Sequence, residues 1–245
     1  MRWQMQRSIL ASAVVLGAAA ASAGESPLDM RDAWRFDGGD WQFVEKRLTQ
    51  RDPEPIVHAH FPAQAYGDCT VGVRFRAHDD GKGVKAAGLI LRSQDSLSGY
   101  TIHYDTKNNQ VILSRLQFGV GRIELGRRRH VEMDTGTWYT AEAEVTAGTV
   151  SARLDGKTLL TAEDPTPLPP GIPGLYTSQG KIDFAEFRVD GTRSELSSPW
   201  RRRMSYEAPT DQTIATIDWI KPVCKEPGRY IGWPTICRRA DGELL

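Results

Sequence analysis

Flat aromatic side chains and one arginine supply the first candidate chemistry of this chain. Sugar recognition needs flat apolar faces to stack on and planar polar groups that bind hydroxyls. Near predicted strand ends or on the non-core face, these groups are offered by Arg92, Tyr100, Trp138 and Tyr176. Tryptophan and tyrosine also pack well in sandwich cores, which is the alternative for each aromatic residue. We predict that the four residues bind a carbohydrate ligand.

Two carboxylates stand at a spacing that could support catalysis. Glu142 and Glu144 lie two residues apart on a predicted strand, so they share a face at a separation of ~7 Å, given a rise of ~3.4 Å per residue. Paired carboxylates can hydrolyse glycosides. The simpler interpretation is the solvated face of an antiparallel strand, and no catalytic residue is predicted.

Three histidines are candidate ligands. His58 and His60 share a strand face and could form half of a metal site, but no third ligand follows at a telling spacing. An ordinary surface pair is the simpler prediction. His103 lies on the polar face of its strand, where it either donates to a sugar hydroxyl or is merely exposed. We predict no metal and no cofactor.

Two arginine runs, at 127–129 and 201–203, could contact an acidic glycan or phosphate. The chain has 31 basic and 31 acidic residues and a net charge of zero, so no broad field would attract nucleic acid. Solvated turns and a linker are the predicted settings for the two runs. The predicted partner is an oligo- or polysaccharide, with no nucleic acid.

An apolar period of two dominates from Trp34 to Val189 and predicts β-strands with one buried face. Asp155-Gly156 separates two short runs and has the residue types of a tight hairpin turn. Five prolines in 165–173 favour a stiff surface loop. The clear strand runs are 56–61, 69–77, 87–92, 100–105, 111–118, 138–145, 150–154 and 184–189. We predict an all-β fold, a two-sheet antiparallel jelly-roll sandwich.

The N-terminus has the pattern of an export signal. Arg2 and Arg7 precede an apolar stretch from Ile9 to Ala20, and Ala21-Ser22-Ala23 matches a cleavage site. The apolar stretch is too short to span a bilayer, so a secreted or periplasmic protein without a transmembrane segment is predicted.

Three cysteines would permit one disulfide in an oxidising compartment. Cys69 alternates with apolar residues and is predicted to be buried, which favours Cys224 with Cys237 as the pair. The pairing stays open.

The predicted organisation is a signal peptide (1–23), a sandwich domain (24–191), a linker (192–219) and a short C-terminal stub (220–245).

The sandwich region resembles the concanavalin A-like lectin/glucanase superfamily. It is most similar to laminin-G-like and 3-keto-disaccharide hydrolase-type domains. The matching residues are Gly39-Asp40-Trp41, Ala87 to Arg92, Gly99-Tyr100, Gly136 to Tyr139, Leu154 to Gly156 and Gly174 to Thr177. Glucanases of this superfamily carry a third carboxylate near such a pair as Glu142 and Glu144, and this chain lacks it.

The stub is similar to the first strand pair of sialidase-like propellers with BNR repeats. Trp233 to Ile236 followed by Asp241-Gly242 carries the resemblance. The resemblance implies that the chain is the front part of a longer protein. No sialidase activity is expected, because Gly232 takes the place of the family's first arginine.

Three functions remain open at this point. The first is a secreted glycan-binding or accessory module of a carbohydrate-processing protein. The second, implied by the resemblance, is a glycoside hydrolase of the 3-keto-disaccharide hydrolase type. The third is a structural or protein-interaction domain of the laminin-G-like kind, since fold alone does not settle function.

Overall fold

A computed structural model of the chain describes residues 26–51, 56–79 and 86–203. Two seven-stranded antiparallel sheets pack face to face, so the predicted all-β jelly-roll sandwich is confirmed. The helical content of these residues is one 3₁₀ turn, Arg31–Ala33. The predicted signal peptide, the cysteines at 224 and 237 and the propeller-like stub lie outside the described residues.

The fourteen strands divide equally between the sheets. Sheet I contains, in spatial order, β1 (Arg35–Asp37), β4 (Val57–His60), β13 (Ile172–Ser178), β6 (Ala86–Asp95), β7 (Ser98–Asp105), β8 (Gln110–Gln117) and β9 (Gly121–Arg129). Sheet II contains β12 (Lys157–Glu163), β11 (Thr149–Leu154), β10 (Tyr139–Thr146), β5 (Ala65–Ala77), β14 (Ile182–Ser194), β3 (Arg47–Gln50) and β2 (Trp41–Val44). Every predicted strand run corresponds to a strand, and Trp138 lies just before β10.

Strand alternation builds the core between the sheets. Val71, Val73 and Phe75 of β5 point inward and are fully buried, while the residues between them face outward. From sheet I, Tyr104 crosses the core, and its hydroxyl donates to the backbone oxygens of Glu142 and Arg153, at 3.0 and 2.8 Å. This buried phenol satisfies its polar end on the opposite sheet and ties the two sheets together.

The predicted hairpin at Asp155-Gly156 joins β11 to β12 and is confirmed. Both residues have positive φ, 47° and 77°, as a two-residue turn with the twist of the strands requires. The proline-rich stretch is a loop that ends where β13 begins at Ile172.

A buried polar network fixes this proline-rich loop to sheet I. The Tyr100 hydroxyl donates to Asp164 at 2.7 Å and accepts from the Leu168 amide at 3.0 Å. Arg115 pairs with the same aspartate at 3.1 Å. Burial raises the pKa of Tyr100 to about 12, so the phenol stays a donor, and the loop is held in one place above the strands.

The predicted burial of Cys69 is confirmed. Its side chain is a free thiol at the edge of the core, and burial raises its pKa to about 11. β14 runs on to Ser194, which pairs with Ala65, three residues past the predicted domain end at Gly191. Within the described residues, no helix has the length and apolarity to cross a membrane.

A substitution at Gly88 on β6 would test how tightly sheet I is packed on its outer side. A methyl group there would meet the Ile102 carbonyl oxygen at 2.3 Å and the Tyr176 ring at 3.0 Å. We expect Gly88→Ala to lower the free energy of unfolding by ~1 to 3 kcal/mol, the usual cost of overpacking. Urea denaturation measures this directly.

Gly67→Ala is the matched control, because its nearest atom would lie at 3.6 Å, an ordinary contact. Equal denaturation midpoints for the two variants would show that the outer side of sheet I yields easily at Gly88.

Candidate functional site

The outer face of sheet I carries one row of residues fixed by strand register. His58 of β4 pairs with Tyr176 of β13, Tyr176 with Gly88 of β6, and Gly88 with His103 of β7. Side chains in register on one face lie side by side. Three residues that are far apart in sequence, His58, Tyr176 and His103, therefore meet on one surface.

Gly88 lets two of these side chains touch across an intervening strand. Because it has no side chain, the Tyr176 ring lies over β6 and stacks on the His103 ring. The ring centroids are 3.9 Å apart and the planes differ by 10°. The pair forms a flat, continuous aromatic platform.

The platform is part of a longer line of rings, which we call the ring row: His60, His58, Tyr176 and His103. Successive ring centroids are separated by 5.6, 5.6 and 3.9 Å in that order. All four rings come from strands of sheet I, and the Trp200 ring, from the segment that follows β14, lies 4.7 Å from His60 at one end of the row. Of the four residues predicted to bind sugar, only Tyr176 belongs to the ring row.

The histidines of the ring row are buried and incompletely hydrogen bonded. His58, His60 and His103 are 5%, 1% and 6% exposed, so the predicted exposed surface pair at 58 and 60 is wrong. His58 Nε2, His103 Nε2 and both ring nitrogens of His60 have no hydrogen-bond partner. The Thr101 hydroxyl on the same face also lacks one.

Burial keeps these imidazoles neutral. It lowers the pKa of His103 to about 3, with help from Arg122 and His58. The pKa of His60 lies well below its ordinary value, first because of burial and then because of His58. Burial also lowers the pKa of His58, against the opposing charge of Asp37. A neutral imidazole has one donor and one acceptor nitrogen, so the face offers both kinds of group without a charge.

The ring row has little free space beside it. Within the described ranges, no group of three or more histidine, cysteine, aspartate and glutamate side chains is placed to hold a metal. The cavity beside His58 and His60 measures about 10 Å³, which is room for about one water molecule. The face is therefore closed in this conformation.

Two of the residues predicted to bind sugar serve packing instead. Tyr100 is fully buried on the core face of β7, where it holds the proline-rich loop. Arg92 is also buried, and its guanidinium donates to the Gly67 and Leu168 carbonyl oxygens and to Asp68, at 2.7 to 3.0 Å. Arg92 joins β6 to β5 and the loop, and its donors point away from the ring row.

Trp138 lies on the other side of the molecule, next to the outer face of sheet II. The guanidinium carbons of Arg74 and Arg76 lie 5.3 and 4.8 Å from its ring. The indole ring of Trp138 therefore makes cation–π contacts with two arginines of the same protein. Trp138 is thus separated from Tyr176 by the whole thickness of the sandwich.

The two glutamates also lie on the outer face of sheet II, as predicted for a strand face. Glu142 pairs with Arg188 at 2.8 Å and Glu144 with Arg153 at 2.7 Å. Each carboxylate is thereby paired with its own arginine. The pair is a solvent-facing ion-pair network.

The arginine runs have different settings. Residues 127–129 end β9, the exposed edge strand of sheet I. In the predicted solvated linker at 201–203, Arg201 and Arg202 are exposed, although Arg202 also pairs with Asp37. Arg203 is partly buried and pairs with Asp95, so the prediction is wrong for this residue.

Sequence reasoning missed the ring row, although its signals were present. His58 and His60 alternate along one strand, and His103 stands between Ile102 and Tyr104 on the polar side. The sequence pattern does not show the register that brings these strands together. It also does not show that Gly88 leaves room for the Tyr176 ring to reach His103.

Several solved structures share this fold at low sequence identity. The carbohydrate-binding module CBM66 from Bacillus subtilis is 18% identical, with a TM-score of 0.58 over 65% of this chain and 96% of the module. The exoplasmic/lumenal domain of VIP36, described as a Ca²⁺/Man3GlcNAc-bound form, is 14% identical, with a TM-score of 0.55 over 69% of this chain and 88% of that domain. A protein from Bacillus subtilis with a galectin-like fold is 15% identical, with a TM-score of 0.51 over 67% of this chain and 91% of its own. These likenesses establish a galectin-like jelly-roll sandwich fold.

No curated protein is similar enough in sequence to match the chain. A family model does match, over residues 28–190, and these residues contain all fourteen strands except the last four residues of β14. The chain belongs to the family described as the 3-keto-alpha-glucoside-1,2-lyase-like domain.

Proposed function

We propose that this protein binds carbohydrate on the ring row of sheet I. The observation that carries the proposal is the stack of Tyr176 on His103, in line with His58 and His60. Nε2 of His58 and both ring nitrogens of His60 lack partners. A buried polar atom without a partner costs ~1 to 3 kcal/mol. A ligand that supplies hydroxyl groups would recover that free energy on binding.

Sugar chemistry matches the face in two ways. The apolar side of a sugar ring stacks on flat aromatic surfaces, which the ring row offers along one line. Its hydroxyls donate and accept hydrogen bonds, as neutral imidazoles do. Because burial lowers the pKa of His58, His60 and His103, the match does not depend on a charged ligand.

The wider role we propose is that of a secreted glycan-binding or accessory domain. The export-signal pattern of the first 23 residues supports secretion, and carbohydrate binding is the stated property of the CBM66 module with the same fold. A hydrolase built on Glu142 and Glu144 is not supported, because both carboxylates are ion-paired on the opposite sheet. A purely structural role leaves the unpartnered nitrogens unexplained.

A second candidate, a lyase acting on 3-keto-α-glucosides, is favoured by the family match over residues 28–190. In such a sugar the hydrogen on C2 is acidic, because it lies next to the C3 carbonyl. A base removes this proton, the C1–C2 double bond forms, and the bond from C1 to the leaving oxygen breaks as that oxygen gains a proton. The unpartnered Nε2 of His58 is the group we assign as base, since Asp37 counteracts part of the lowering of its pKa.

Replacing Tyr176 tests the binding site. We expect Tyr176→Ala to weaken binding of maltose, trehalose or 3-keto-trehalose about tenfold, because one aromatic contact is worth up to ~1.5 kcal/mol. Titration calorimetry on folded protein measures this. Trp138→Ala is the matched control, because Trp138 lies on the opposite sheet. Equal losses in the two variants, or a loss in Trp138→Ala alone, would place the sugar elsewhere.

The neutral histidines predict a dependence of stability on pH. In the unfolded chain histidine titrates at about pH 6.5, whereas the folded pKa of His103 is about 3. Below pH 6.5 the unfolded state therefore binds more protons, and the free energy of unfolding falls as the pH drops. The stabilisation is present above pH 6.5 and is lost progressively toward the folded pKa.

His103→Gln should make this pH dependence shallower between pH 6 and pH 4, by up to ~1.4 kcal/mol per pH unit. Urea denaturation of both proteins from pH 4 to pH 8 gives the comparison, and the difference at pH 8 isolates the packing effect of the substitution. Parallel curves would mean that His103 is not held neutral by burial.

The lyase candidate is tested with 3-keto-trehalose as substrate. We expect release of glucose together with an unsaturated 3-keto product that absorbs in the ultraviolet, and we expect His58→Gln to reduce the rate at least ~10²-fold. Trp138→Ala again serves as the control. Binding without turnover would reject the lyase and leave the binding function, and full activity of His58→Gln would reject His58 as the base.

A further inference from the structure

The segment after β14 covers one end of the ring row. Residues 195–203 belong to no strand, yet Trp200 places its ring 4.7 Å from His60 and donates its indole N–H to the Ser93 hydroxyl at 3.1 Å. His60 is only 1% exposed. One end of the candidate sugar site is therefore occupied by the chain itself.

Side-chain contacts with the rim of sheet I hold this segment in place. Arg203 pairs with Asp95 at 2.6 Å, and Arg202 pairs with Asp37 at 2.5 Å. The Arg203 amide donates to the Ser96 hydroxyl at 2.9 Å. The guanidinium carbon of Arg203 also lies 4.5 Å from the Phe118 ring. The segment is docked on sheet I by these side-chain contacts. It is not one of the seven hydrogen-bonded strands of the sheet.

The fit between Trp200 and the face beneath it is chemically poor. An indole ring offers one N–H, which is directed at Ser93, and it leaves both nitrogens of His60 without a partner. The adjoining cavity of about 10 Å³ is too small for a sugar ring. A polar ligand that replaced the indole would offer hydrogen-bond partners to both ring nitrogens of His60.

We propose that residues 199–203 are a strap that closes the ring row and is displaced when the site is occupied. Its anchors are Trp200 on His60 and the pairs of Arg202 and Arg203 with Asp37 and Asp95. The strap competes with a sugar for the same aromatic surface. The proposal concerns the site of the proposed function, but closure of the site can be measured without any ligand.

The ligand-free test is chemical modification of histidine by diethyl pyrocarbonate, which reacts with accessible neutral imidazoles. Reactivity at each histidine is read by mass spectrometry on the full chain, with exposed His130 as internal reference. Arg203→Glu places a carboxylate beside Asp95 and should raise the modification rate of His60 at least fivefold. Arg201→Glu makes the same charge change on a neighbouring exposed side chain and should leave the rate unchanged.

Trp200→Ala is the second variant, which keeps the test decisive if Arg203→Glu fails to fold by circular dichroism. It removes the covering ring and should also raise the His60 rate. If His60 stays as protected in the folded variants as in the parent, the strap proposal is overturned.

Measurements of sugar binding then distinguish the strap proposal from the proposed function. A site that is open one tenth of the time binds about tenfold more weakly than an open one, so Arg203→Glu should tighten binding of 3-keto-trehalose or maltose toward that limit, and Arg201→Glu should not. Weaker or unchanged binding in Arg203→Glu would overturn the strap as a competitor. A raised His60 rate with no sugar bound by any variant would uphold the strap and reject the proposed function.

Discussion

Sheet I is buried on both faces at its central strands, and this constraint governs the rest of the molecule. Its inner face packs on sheet II, while its outer face holds His58, His103 and Tyr176 out of water. A side chain in that position must be small, neutral or paired, because charge is costly away from solvent. Gly88 meets the first condition and the histidines meet the second, and the stacking of Tyr176 depends on both.

The two sheets divide the polar chemistry between them. On the outer face of sheet II, Glu142 and Glu144 form ion pairs with arginines in contact with solvent, where such pairs contribute little to stability. On sheet I the polar groups are few, buried and incompletely satisfied. Unsatisfied groups in a low-dielectric setting are costly in the free protein and strengthen recognition when a partner arrives. That contrast is the reason for assigning function to sheet I.

The sequence predicted the architecture because the period-two pattern depends on local residues. Runs such as 69–77 and 100–105 specify a strand and its buried face without knowledge of the neighbours. The same reasoning placed His103 on the polar face and Cys69 on the apolar face. Tyr100 alternates in step with Ile102 and Tyr104, so the same pattern indicates the buried face for it. The prediction that Tyr100 binds sugar did not use that alternation, and its hydroxyl instead donates to the buried Asp164.

The candidate site escaped prediction for a different reason. The ring row is assembled from β4, β13 and β7, whose contact depends on long-range register, and alternation along one strand carries no information on that register. The polar face of sheet I was also expected to meet water, whereas Trp200 covers part of it. The sequence predicts a linker at Arg202 and Arg203, because their ion-pair partners lie far away in the sequence and produce no local pattern.

The buried thiol of Cys69 has a consequence for the covalent chemistry of the chain. Thiol–disulfide exchange requires a thiolate, and with a pKa of about 11 roughly one molecule in 10⁴ carries one at pH 7. Attack by Cys69 on another disulfide is suppressed accordingly for as long as the sandwich stays folded. An odd number of cysteines, three in this chain, is thus compatible with an oxidising environment, because folding itself removes one of them from the exchange.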